Sequence, residues 1–70
     1  MEPFEIELLQ VLYTVHPQEN GSFKIYQGAN LLGEIEPVIN DDLSIQWVTA
    51  DLMASDFVNR LGGLIEEKEM

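Results

Sequence analysis

His16 is the chain's one histidine, and its side chain has an unperturbed pKa near neutrality, so it is the first candidate for acid–base chemistry. It stands against Pro17, and Gln18-Glu19-Asn20-Gly21 follows as a chain reversal, so its expected place is the end of a strand. Asn40-Asp41-Asp42 offers oxygens to Ca²⁺ but lacks the spaced ligands, central glycine and distal glutamate of a calcium loop. Glu34 and Glu36 resemble a carboxylate pair for proton transfer, yet only burial or a close like charge would raise one pKa enough. Their spacing puts both on the solvated face of a strand. With no cysteine there is no thiolate nucleophile or thiolate zinc site, and no serine lies in nucleophile-elbow spacing. Gly28 and Gly33 are followed by neither a helix start nor a phosphate-binding lysine. The expectation is a protein that is not an enzyme and has no cofactor or metal.

Thirteen Asp and Glu against three Lys and Arg give a net charge of −10. That balance excludes direct binding to nucleic-acid phosphates or anionic lipid, so a charged partner should be basic. Apolar residues make up 46% of the chain and follow regular periods, which places it with folded proteins and not with acidic disordered tails. Residues 1–70 read as one small domain. No apolar run is long enough to span a membrane and no secretory signal is present, so the expected location is cytoplasmic.

One stretch has a helical period. Phe57, Val58, Leu61, Leu64 and Ile65 gather on one stripe between Ser55 and Glu69, while Asn59, Arg60, Gly63 and Glu66 face away. Asp51 and Ser55 are candidate N-caps, and a short extra turn is expected at Leu52 to Ala54. Glu66, Glu67 and Glu69 oppose the helix dipole, which predicts a frayed last turn. Gly62 borders the stripe and suits close approach to another layer.

Before the helix the period is near two. After a loose end at Met1 to Pro3, Phe4, Ile6 and Leu8 share a face, as do Val11, Tyr13 and Val15. A two-residue loop at Leu9-Gln10 pairs Phe4 with Val15, although neither residue favours the positive φ of a tight hairpin. A turn within His16 to Gly21 would pair Val15 with Phe23, and three-residue loops centred on Ala29 and Asp41 would pair Phe23 with Ile35 and Ile35 with Trp47. The reading is an α+β fold, β-β-β-β-β-α: a five-stranded antiparallel meander with one C-terminal amphipathic helix packed on one face.

On the face turned from the helix, those registers place Leu12 beside Tyr26 and Tyr26 beside Leu32, with Val48 diagonal to Leu32. Lys24 falls across from Glu34 in an expected surface ion pair. Leu12, Tyr26, Leu32 and Val48 are the candidate partner-binding residues, used for a two-fold homodimer or for another subunit. A second reading is an acidic mimic of nucleic acid that inhibits a basic DNA- or RNA-binding protein. It requires Glu5, Glu7, Glu34, Glu36, Asp41 and Asp42 in one band.

Overall fold

Period-two alternation from Phe4 to Thr49 builds a single antiparallel sheet whose strands lie side by side in chain order. In the computed structural model, which describes residues 2–69, they are β1 (Phe4–Leu8), β2 (Val11–Pro17), β3 (Phe23–Gln27), β4 (Asn30–Ile39) and β5 (Ile45–Thr49). The helix α1 follows at Ser55–Glu69. Met1 lies outside the described residues, and Glu2 and Pro3 precede β1.

Ile6, Tyr13, Val15, Ile25, Ile35 and Trp47 from one sheet face pack with Val58, Leu61 and Ile65 of the helix. Each buried aliphatic side chain contributes about 1.5–3 kcal/mol. A flat sheet of five strands would be roughly 24 Å wide and a helix only about 10 Å across. The helix nevertheless touches both outer strands, β1 and β5, as well as β4. The sheet therefore curls around α1, which sits in its concave side.

Pairing of β1 with β2 is as the alternation demands, Phe4 with Val15, Ile6 with Tyr13 and Leu8 with Val11. The Leu9-Gln10 turn is formed despite its chemistry, with φ of 53° and 66°. Two later registers differ from expectation by two residues. Val15 pairs with Ile25 instead of Phe23, and Trp47 faces Pro37 instead of Ile35. Both loops are centred one residue later than the expected pairings imply.

These two loops are built alike. Gly21 N–H donates to Gln18 O at 3.1 Å and Leu43 N–H to Asn40 O at 2.9 Å, each a tight turn followed by a left-handed residue. Asn20 Oδ1 accepts from the Ser22 N–H and hydroxyl, and Asp42 Oδ1 accepts in the same way from Ser44. The left-handed position is Gly21 (φ 91°) in one loop and Leu43 (φ 70°) in the other. Leu43 is 82% exposed, so its side chain offsets little of that cost. Left-handed backbone costs an L-residue roughly 1–2 kcal/mol, and glycine gives back part of the gain through unfolded-state entropy. Leu43→Gly is expected to stabilise the protein by about 1 kcal/mol, read as a rise of about 5 °C in Tm.

The Ser44 hydroxyl, and then its N–H, hold the Asp42 carboxyl below its ordinary value of 3.8. A carboxyl whose folded pKa is depressed adds stability above its unfolded pKa and loses it as the pH falls through the folded one. The β4–β5 loop is thus expected to loosen as the pH falls below 3.8, and Asp42→Asn, which keeps the acceptor oxygen, is expected to show no such dependence. Exchange of the Ser44 amide against pH measures both.

At the β3–β4 hairpin, Phe23 pairs with Ile35 and Ile25 with Gly33 as expected, but the register then slips, so that Tyr26 faces Leu31 and Gln27 faces Asn30. The turn is two residues, with Gly28 at φ 60° in the first central position that a type II′ turn reserves for glycine. Leu32 is the extra residue of a β-bulge.

Between β5 and α1 the chain crosses β4 at Gly33, where a Cβ would lie 2.6 Å from Met53 Sδ and 3.1 Å from Asp51 Cβ. Asp51 does not cap the helix. Its Oδ2 accepts the Glu34 N–H at 2.8 Å, satisfying β4 where β5 has ended. Leu52 to Ala54 form no helical turn, and the first helical bond runs from Val58 N–H to Ala54 O at 3.0 Å, which leaves Ser55 inside the helix. At the far end the helix persists through Glu69 instead of fraying early, with Lys68 in its last turn. Glu66 does not face away either: Trp47 Nε1–H donates to its Oε2 at 2.9 Å.

Candidate interaction surface

Alternation assigns the convex face, since the neighbours Tyr13, Ile25 and Trp47 are buried on the other side. Leu12, Tyr26 and Val48 lie on this convex face, but the registers separate them. Leu12 stands across from Glu7, Tyr26 between Thr14 and Leu31, and Val48 across from Glu36. Leu32 is not among them. The bulge turns it toward the core, against which it packs half-buried, and Leu31 takes the place beside Tyr26. A bulge adds one residue and so exchanges the faces of a strand, which period-two counting cannot see without knowing the turn. The missed signal was Gly28-Ala29, the Gly-X dipeptide of a two-residue hairpin.

Leu12 is 58% exposed and Leu31 53% exposed, with the half-buried Tyr26 next to Leu31. His16 meets the Tyr26 ring edge-on at a centroid distance of 4.7 Å, which gives the one histidine an aromatic neighbour. His16 also pairs in register with Lys24, and Lys24 with Glu34. The Glu34 carboxylate is engaged by the Ser22 hydroxyl.

Carboxylates flank this apolar strip on both sides. Glu5 and Glu7 lie on β1 and Glu34 and Glu36 on β4, about 14 Å away across three strand spacings. Asp41 and Asp42 stand apart in the β4–β5 loop. They form two rows and a tip, not the one band that imitation of a nucleic-acid backbone requires. A shallow polar cleft of about 340 Å³ opens beside the inner row, lined in part by Asn20, Ser22, Glu34, Glu36, Thr49 and Asp51. Among the described residues, no three His, Cys, Asp or Glu side chains converge to hold a metal ion. Nor is any helix among them long and apolar enough to cross a membrane.

The chain matches no family model, no curated protein and no solved structure. Its surface is therefore read on its own chemistry. Leu31 beside the Tyr26 ring and Leu12 across from Glu7 each expose apolar area on a face that also carries carboxylates.

Proposed function

We propose that this chain is a cytoplasmic, non-enzymatic protein-interaction module that docks on another protein through the convex face of its sheet. The observation that carries the reading is the pair Leu12 and Leu31, each more than half exposed on a face that also holds Tyr26 and four carboxylates. Apolar side chains supply the area that a partner desolvates, and Glu5, Glu7, Glu34 and Glu36 select a basic rim around it. Lys24 is the one lysine or arginine in the strands. Two copies of the face would oppose these carboxylates to one another, which favours a foreign protein over a homodimer.

Light scattering at micromolar concentration, with wild type beside Leu31→Asp, tests the choice of partner. A monomer in both agrees with docking on another protein, whereas a dimer that Leu31→Asp breaks reassigns the face to self-association. A photoreactive residue at position 12 is then expected to form adducts with another protein in cells. Those adducts should disappear in Leu31→Asp and weaken as salt is added to an extract. Adducts indifferent to both changes would remove the convex face from the binding account.

A further inference from the structure

Every backbone N–H and C=O of a strand seeks a partner, and at the outer strands of a sheet half of them find only water. Asn40 N–H donates to Ser44 O at 2.8 Å, and bonded pairs alternate along an antiparallel ladder. Val38 with Gln46 and Glu36 with Val48 are thus the bonded pairs of β4 and β5. The backbone groups of Ile45, Trp47 and Thr49 point the other way, out of the sheet. Pro37 obeys the same alternation, because opposite Trp47 its missing N–H deprives the ladder of nothing.

The two outer strands differ in how they are guarded. In β1, Glu5 and Glu7 would face like charges if a copy of the strand were laid antiparallel against it. Charge, lysine, proline and bulge, the usual protections of an edge, are all missing from the Ile45-Gln46-Trp47-Val48-Thr49 run of β5. Alongside it lies a cleft of about 260 Å³ between β5 and the start of α1, with Gln46, Thr49, Met53, Val58 and Asn59 in its walls. Among the described residues, Asp51 is the one charged residue that lines it.

We propose that the free edge of β5 captures an extended segment of another protein, which adds to the sheet as a sixth strand with apolar and basic residues in alternation. Main-chain bonds to Ile45, Trp47 and Thr49 hold it, and its apolar side chains enter the cleft toward Met53 and Val58. The alternate side chains lie over the convex face, where Glu36 stands beside Val48. Charge chooses this occupant: the chain carries −10, and the convex face that the basic side chains would cross holds Glu36 beside Val48. A second copy is a poor occupant, since it brings two chains of charge −10 together. The inference uses backbone groups at the rim of the sheet and needs neither Leu12 nor Leu31.

The test titrates a short capped peptide of alternating valine and lysine into isotope-labelled protein while amide exchange is followed. Exchange is expected to slow at Ile45, Trp47 and Thr49 and to stay unchanged at Gln46 and Val48, whose N–H groups are already bonded to β4. Ile45→Pro, which removes one outward N–H, should weaken binding about tenfold. The same peptide N-methylated at alternate positions should not bind to unaltered protein, a result that does not depend on how the variant folds. Absence of binding would overturn the proposal. So would shifts confined to Glu5, Glu7, Glu34 and Glu36 without protection at the three amides, or protection of those amides that grows with protein concentration alone.

Discussion

Gly62→Ala is expected to lower Tm by about 15 °C or more, a loss of about 3 kcal/mol, and to shift Trp47 fluorescence to longer wavelength. A Cβ on residue 62 would lie 2.1–2.3 Å from Cγ, Cδ1 and Cδ2 of Trp47, against the 3.5–4.0 Å of an ordinary carbon contact. The added atom belongs to a helix backbone and the atoms it meets to a rigid ring, so neither can turn aside. The helix must lift from the sheet, exposing Leu61 and Ile65 and breaking the bond from Trp47 Nε1–H to Glu66. A domain of this size has only about 3–5 kcal/mol to lose. Gly63→Ala is the control. A Cβ there meets nothing within 4 Å, so alanine should gain about 1 kcal/mol by helix propensity. In Gly62→Ala with Trp47→Leu, the combined loss should fall well short of the sum of the two, because the clash is gone. Equal Tm for Gly62→Ala and Gly63→Ala would show that the helix does not seat on Trp47.

Replacing Leu9-Gln10 by Asn-Gly is expected to stabilise the protein by about 2 kcal/mol, raising Tm by about 10 °C. Both residues are left-handed, at φ 53° and 66°, and each L-residue there costs roughly 1–2 kcal/mol. Leu9 is 74% exposed, so little packing is forfeited with its side chain. The strands force the turn. Phe4, Ile6 and Leu8 meet Val15, Tyr13 and Val11 with every apolar side chain on the concave face, and a wider loop would displace that match. Thermal unfolding of the double variant measures the gain. Unchanged Tm would mean that Leu9 makes a stabilising contact that its exposure conceals.

The same case shows what the amino-acid pattern made legible. Strand order, the helix and the inward faces of β1, β2, β3 and β5 follow from alternation, because apolar residues at Ile6, Tyr13, Val15, Ile25 and Trp47 can be buried in only one way. Where a reversal was placed one residue early, before β3 and before β5, pairing moved by two and every side chain kept its face. The bulge at Leu32 moved pairing by one, so Leu31 and Leu32 exchanged faces and the candidate surface changed with them. Loop interiors resisted reading for another reason. Leu9, Gln10 and Leu43 adopt left-handed backbone that their own preferences oppose, because the packing of distant strands outweighs a local cost of about 1 kcal/mol each. The roles of Glu66 and Asp51 were equally hidden, since both accept hydrogen bonds from residues far away in sequence.

The curl of the sheet around α1 also bears on the order in which the molecule assembles. Each strand pairs with its neighbour in the chain, so the meander can zip hairpin by hairpin through short loops and little chain entropy. The contact between α1 and β1 is different: it joins the two elements furthest apart in sequence. That contact closes the largest loop, so the helix is expected to dock on β5 first and reach β1 last. Until it does, the concave wall with Ile6 and Tyr13 stands open to water, and the rate at which α1 swings across sets how long nascent sheets can find one another.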